Sequence, residues 1–271
     1  MLALRKALRG PGAMLAVVFP HSFRAALAAW VSGAEVRLGY VRDGRSWLLT
    51  HNVLPYREDG AIVPVYMGRE YLDLVKTIGC EDDGEGLELA AEPEAVEQIR
   101  ARLEGEGPLV AVAPGAAFGP SKRWPPERYA AVIDQLHDEA GARLVLVTGP
   151  GEEDTRDAVL SAARYPVIVA DGGHPTIDTL KATLALADLL IGNDSGPRHV
   201  AIAFKKPVIC IMGPTSPRYS AGPYETGEVL RVEVDCGPCQ KPECATDFRC
   251  MTRIAPETVV AAALRHLPAK R

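Results

Sequence analysis

The sequence predicts an α/β protein built from two parallel-sheet domains. Short apolar runs alternate with helix-like runs along most of the chain. Such alternation implies right-handed crossovers and parallel strands. Several apolar runs end in glycine-rich polar loops, "APGAAFG", "TGPGEED", "GNDSGP" and "MGPTSP". Ligands of parallel sheets sit at the carboxyl ends of the strands, so these loops converge on one rim. The length of 271 residues suits two domains, at roughly 100–200 residues each.

In the first half, "MLAVVF" (14–19) reads as a buried strand. "SFRAALAAWVSG" (22–33) reads as a helix with Ser22 as N-cap and Gly33 at its end. "VRLGY" (36–40) is a further strand, "GRSWLLTHNVLPYRED" is irregular, and 63–79 is helical in its later part. A helix opens near Pro93. The polar, glycine-containing stretch Glu104 to Pro108 predicts the domain junction, giving domains 1–105 and 106–271.

The alternation then restarts. Strands are expected at 109–115, 143–151, within "PVIVADG", in "DLLIGN" and in "PVICIMG". Helices are expected at 125–141, with proline first and glycine last, in "EEDTRDAVLSAA", in "TIDTLKATLALA", in "PRHVAIAFK" and at 255–267.

Composition removes some function classes. The net charge of −5 offers no basic field for nucleic acid, and aromatics at 6% leave few stacking platforms for bases. The early basic residues and the run from Ala13 to Phe19 loosely imitate a signal peptide. However, the run is short and ends in Pro20, His21 and Arg24. No stretch approaches the roughly 18 apolar residues of a membrane span, and a cytoplasmic chain is expected.

The candidate chemistry lies on the loops. In "GNDSGPRHVA", Asp194, Ser195, Gly196 and Pro197 lead from a strand into a helix. Free N–H groups and the helix dipole make such a start an anion site, and Gly196 lets a phosphate approach the backbone. The other reading is a capped helix with no ligand. Lys122 and Arg123 lie in a long loop that fails the Walker pattern, and they are either phosphate-binding cations or a solvated pair beside a structural Trp124. Glu152, Glu153 and Asp154 either complement a helix dipole or accept from ribose hydroxyls.

Cys236, Cys239, Cys244 and Cys250 are spaced C-x2-C-x4-C-x5-C, within a cysteine-rich segment 236–250. Four thiolates so close suggest a structural zinc or an iron–sulfur cluster, set away from the chemistry; free thiols or disulfides are the alternative. Cys210, inside "PVICIMG", reads as buried.

"APGAAFGPSKRWPPERYAAVIDQL", "TGPGEED" and "GNDSGPRHVAIAFKKPVICIMGPTSP" closely resemble the ADP-heptose:lipopolysaccharide heptosyltransferases, and "GPSKRWP" and the cysteine-rich tail resemble their type II members. The first half resembles them through "FPHSFRAALAAW" and "VRLGYVRDGRSWLLT". The resemblance implies a GT-B fold of two Rossmann-like domains, the N-terminal one incomplete here. It implies inverting transfer of heptose from ADP-heptose to the lipopolysaccharide inner core, at the inner-membrane surface and with no cofactor for the chemistry; magnesium is left open. Carried over by position, Lys122 meets the diphosphate, Glu153 the ribose, and Thr176 the adenine. Asp194, Ser195, Gly196 and Pro197 hold the diphosphate and donor sugar, with His199 behind. Arg198 stands where an apolar residue is common, and either adds charge near the phosphates or faces solvent. Ser22, Arg24, Arg42 and Arg45 are the acceptor-side candidates, because arginines suit anionic sugars.

Family members begin with a strand and a glycine–aspartate loop whose aspartate is the proposed base. "MLALRKALRGPG" has no aspartate. The chain is expected to be a short form or one whose start is placed late. A substitute base, His21, is the speculative candidate. A nucleotide-sugar-binding remnant without catalysis is the alternative function.

Overall fold

The structure, a computed structural model, describes residues 14–268. The expectation placed on residues 1–13 lies outside the described residues. The chain divides into two compact units. One runs to Gly84 and includes Arg218–Ser220; the other holds Glu85–Pro217 and Ala221 onward.

In the first unit, β1 (Leu15–Val18), β2 (Val36–Tyr40) and β3 (His51–Val53) form a parallel sheet in that order. Helix α1 (Phe23–Ser32) connects β1 to β2. It is capped as its sequence predicts: Ser22 Oγ accepts from the Ala25 N–H at 3.3 Å, and Gly33 ends it with φ 81°. Val18, Ala26, Ala29, Leu48 and Leu49 form its core. The "irregular" stretch contributes β3 and one side of a two-residue hairpin, β4 (Arg57–Glu58) with β5 (Ala61–Ile62). Helix α2 (Met67–Lys76) follows and buries Leu74 against Leu38 and Tyr40.

The second unit opens with α3 (Pro93–Arg102). Its five-stranded parallel sheet is built from β6 (Leu109–Ala113), β7 (Arg143–Leu146), β8 (Leu189–Asn193), β9 (Val208–Ile211) and β10 (Gly227–Leu230), ordered β10-β9-β8-β6-β7. The helices are α4 (Pro126–Ala140), α5 (Glu153–Ala162), α6 (Ile177–Leu186), α7 (Gly196–Ala203) and α8 (Pro256–His266). Two one-turn helices, Pro217–Ser220 and Arg249–Thr252, interrupt the loops.

Both faces of this sheet are covered. Val110, Val112, Leu144 and Leu146 point to one core with Tyr129, Ile133, Val159 and Val259. Leu109, Ala111, Val145 and Cys210 point to the other with Ile99, Ala182, Leu184 and Ala201. Alternate residues of one strand feed opposite cores, as the two-residue period of a strand requires.

Two expectations are corrected. "PVIVADG" is not a full strand and contributes a single bridge, Ile168 to Val145. Pro166 has no N–H to give a ladder, and the chain turns at Gly172 and Gly173 with φ 65° and 83°. The junction is not at 104–108. Helix α3 packs on α6 and plants Ile99 and Leu103 in the second core, so the boundary falls at Gly84–Glu85. The polar run misled because it is a surface loop between a packed helix and its strand.

With Ile168 counted as a one-residue third strand, the order becomes 3-2-1-4-5-6. Its topological switch point lies between β6 and β8, and the loops leaving those two strands flank the crevice.

Candidate functional site at the β6–β8 switch point

A cleft of about 190 Å³ opens there. The loop after β6 (Gly115, Ala116, Ala117), the turn after β7 (Thr148, Gly149, Glu152) and the start of α7 (Ser195, Gly196, Pro197) line it. Ser195 is the N-cap by position, with extended backbone at φ −148°, but its side chain caps nothing. The first N–H groups of α7 thus lack a side-chain acceptor from their cap. A Cβ built on Gly196 meets no atom within 4 Å, so the space beside it is open.

Asp194 does not cap either. Its carboxylate is buried and accepts from Lys122 Nζ at 2.7 Å, Thr215 Oγ1 at 2.8 Å and Arg198 Nη1 at 2.8 Å. Burial alone would raise its pKa. The Lys122 ammonium, the Thr215 hydroxyl and the Arg198 charge outweigh that and hold it at about 2. Asp194 thereby fixes Lys122, whose Nζ also donates to the Asp194 carbonyl at 3.0 Å.

Arg198 neither faces solvent nor points at the cleft. Its side chain is 0% exposed and grips Glu225 with two bonds, 2.7 and 2.6 Å, besides Asp194. Burial works against its charge, and Glu225 more than offsets that, keeping it above the ordinary arginine value. His199 lies behind, half-buried, with its pKa lowered by burial and by Arg198.

The acidic trio separates. Glu152 lines the cleft, and its Oε2 accepts from the Gly149 N–H at 2.7 Å. A Cβ on Gly115 would overlap the Glu152 carboxylate, so a side chain there would push Glu152 aside. Glu153, the expected ribose partner, lies off the cleft lining and takes the Gly151 N–H at 3.2 Å. Thr176 caps α6 through a capping box with Thr179. It lines a small pocket with Asp171 and Thr183 that shares Val147, Thr148 and Leu180 with the cleft.

Sequence reasoning missed Asn193. Its Oδ1 accepts from the Trp124 N–H at 3.2 Å and the Tyr129 hydroxyl at 2.8 Å, while Nδ2 donates to the Pro114 carbonyl at 2.7 Å. One buried amide joins the β6 loop, the Lys122 loop and β8. An amide ending an apolar strand was the available signal.

The first-unit candidates are mostly used internally. Arg45 is 0% exposed and donates to the carbonyls of Tyr40 (3.0 Å), Ser22 (3.0 Å) and Pro20. Arg42 pairs with buried Glu70 at 2.6 Å. Neither arginine is a free acceptor contact. His21 Nε2 is buried 3.2 Å from Glu70 Oε2. Burial and the charges of Arg42 and Arg45 push its pKa down to about 4, so the ring is held neutral beside Glu70. Burial pushes Glu70 up. Ser22 caps α1, and Arg24 is exposed with no ion pair among the described residues.

The zinc or iron–sulfur expectation is unsupported. Cys236, Cys239, Cys244 and Cys250 line one cavity of about 100 Å³. Yet among the described residues no group of three or more His, Cys, Asp or Glu is arranged to hold a metal. The Thr246 hydroxyl stands 3.9 Å from Cys236 Sγ and 3.5 Å from Cys244 Sγ. Its hydrogen bond lowers the Cys244 pKa, while burial raises that of Cys250. Nor is the segment remote. Ser121 Oγ donates to the Lys241 carbonyl at 2.6 Å, and the Ser121 N–H to the Pro242 carbonyl at 3.0 Å, so it braces the turn that carries Lys122.

Comparison with known proteins agrees with this architecture. Residues 1–248 match glycosyltransferase family 9 (heptosyltransferase). Lipopolysaccharide heptosyltransferase 2 of Escherichia coli K12 is 27% identical over 256 residues, 90% of this chain and 73% of the relative. Lipooligosaccharide heptosyltransferase 2 of Haemophilus influenzae is 28% identical over 232 residues, 80% of this chain and 65% of the relative. The structure of E. coli ADP-heptose lps heptosyltransferase II superposes with TM-score 0.72 at 24% identity, covering 97% of this chain and 78% of that one. A glycosyl transferase family 9 structure from Veillonella parvula superposes with TM-score 0.77, also at 24% identity, covering 97% and 77%. These superpositions establish the α/β, parallel-sheet fold. Among the described residues no helix is long and apolar enough to cross a membrane.

Proposed function

The chain belongs to glycosyltransferase family 9, the heptosyltransferases, and from that premise we propose that it moves heptose from ADP-heptose to the inner core of lipopolysaccharide. The observation that carries the reading is the open, glycine-lined start of α7 at the sheet's switch point, with Lys122 fixed by Asp194. The diphosphate is seated on the N–H groups of Ser195 and Gly196 at the start of α7, where the helix dipole favours an anion. Lys122 faces the same charge. Glu152, in place of Glu153, takes the ribose hydroxyls, and the adenine enters the pocket beside Thr176. His199 stands behind the phosphate site.

The reaction is a displacement. The acceptor hydroxyl oxygen bonds to the anomeric carbon from the face opposite the diphosphate. The carbon–oxygen bond to phosphate breaks, ADP departs with the electron pair, and the acceptor proton passes to a base. Inversion follows from the single attack. The helix start and Lys122 stabilise the leaving ADP as its charge grows. The step moves a sugar and a proton and transfers no electrons, so it asks for no redox cofactor. The acceptor is lipid-linked, which places the work at the cytoplasmic face of the inner membrane.

Titration with ADP, ADP-heptose and a UDP-sugar tests the donor, and transfer to a heptose-deficient core tests the reaction. Tighter binding of the UDP-sugar overturns the donor assignment. Donor binding with no transfer leaves the nucleotide-sugar-binding alternative.

The ribose role gives a separate expectation. Glu152→Gln should weaken ADP by about tenfold, because a charged acceptor becomes a neutral one, and should weaken 2′-deoxy-ADP less. Glu153→Gln should leave ADP affinity nearly unchanged. A larger loss from Glu153→Gln returns the role to Glu153.

A further inference from the structure

We propose that Phe23 and Trp47 form a preset aromatic platform that seats a sugar ring of an anionic saccharide acceptor, with exposed Arg24, the next residue of α1, available to its acid group. The proposal rests on the acceptor class given under Proposed function and names the first-unit surface that meets it.

Four observations converge. The first is position. Phe23 opens α1 just beyond the carboxyl end of β1, and Trp47 sits in the 3₁₀ turn Ser46–Leu48, beyond the carboxyl end of β2. Both therefore stand on the rim where parallel sheets receive ligands.

The second is exposure. Trp47 is 65% exposed and Phe23 is 38% exposed. Their ring centroids lie 6.2 Å apart with a 52° tilt. The rings meet at an angle, and most of the Trp47 indole with the edge of Phe23 stays open to a third flat object. A sugar ring presents a flat patch of C–H groups, and its burial on such faces removes apolar surface from water.

The third is rigidity. Arg45, fully buried, ties the loop after β1 to the loop after β2 through the Pro20 and Ser22 carbonyls on one side and the Tyr40 carbonyl on the other. The ring-bearing residues adjoin these pinned points. Leu48, 0% exposed, anchors the turn next to Trp47. The platform is set before the ligand arrives, so seating it costs little ordering entropy.

The fourth is charge. Arg24 follows Phe23, is exposed, and has no ion pair among the described residues. It can offer a planar fork to a carboxylate or phosphate. Trp30, also exposed on α1 at 47%, lies two turns along the helix and so on the same side as Phe23, roughly 10 Å away. A lipid surface is therefore the competing occupant, and the vesicle arm of the test below separates it from the saccharide.

The test is titration of lipid-free, heptose-deficient inner-core oligosaccharide into the full chain, with ADP titration as control. Trp47→Ala should weaken oligosaccharide binding by about tenfold and leave ADP affinity unchanged. Trp47→Phe should keep most of the binding, since a flat face remains, and Phe23→Ala should lose severalfold. Equal binding by wild type and Trp47→Ala overturns the platform alone. A loss seen only with acceptor in vesicles, and not with the lipid-free oligosaccharide, means the rings meet lipid and also overturns it. Failure of the wild-type chain to bind the oligosaccharide overturns the acceptor reading and the platform with it.

Discussion

Gly196→Val abolishes ADP binding while the second unit stays folded: that is the expected result if α7 begins at a phosphate. The space beside Gly196 is open, so the fold tolerates the isopropyl group, and its φ needs no glycine. The same group fills the approach a phosphate would use. Lys122→Ala probes the cation that Asp194 holds. It should cost ten- to a hundredfold in ADP affinity, which is the roughly 1.5–3 kcal/mol of a charged hydrogen bond, and spare adenosine. Isothermal titration with both ligands reads the difference. Unchanged ADP affinity in Gly196→Val would reduce the turn to a helix start with no ligand. Equal losses for ADP and adenosine in Lys122→Ala would make Lys122 a loop support.

Arg198→Met is expected to produce the largest loss of stability. Arg198 and its partners Asp194 and Glu225 are buried, at 0%, 6% and 8% side-chain exposure. Removing the guanidinium leaves two carboxylates without their shared cation. Breaking a buried pair from one side costs about 3–5 kcal/mol, because the partner charge stays desolvated. For a unit of this size that lowers the melting temperature by roughly 10 °C. Adding Glu225→Gln should recover part of the loss, since one orphaned charge disappears with it. A loss under about 1 kcal/mol would mean water reaches Glu225 and the pairing is not confined.

The local chemistry of this fold was legible in the sequence. Ser22 and Gly33 bracket α1, Pro126 and Gly141 bracket α4, and the two-residue period of Leu109–Ala113 feeds both cores. Those signals act within a few residues, where capping and strand alternation operate. The loops at the carboxyl ends were legible for the same reason. What could not be read was who meets whom. Arg42, Arg45 and Arg198 look like loop or helix-surface cations by composition, and each is spent on a carbonyl or carboxylate far along the chain. Glu70 lies in the first turn of α2, where its position alone does not show that it is the buried counter-ion of Arg42. Glu152 and Glu153 differ by one residue, yet the turn sends only one into the cleft. In each case side-chain direction is set by tertiary pairing, which no short window contains.

The bracing of the Lys122 turn has a consequence for biogenesis. Ser121 is held by the carbonyls of Lys241 and Pro242, and the Trp124 indole donates to the Ile254 carbonyl at 3.2 Å. The ribosome delivers the chain from its amino end, and a unit folds once its contacts are available. A nascent chain can pair β6, β7, β8 and β9 well before these anchors emerge from the exit tunnel. Throughout that interval the loop bearing Lys122 lacks its anchors at Lys241, Pro242 and Ile254. A ligand that depends on a seated Lys122 would meet its finished site only when nearly all of the second unit has been made.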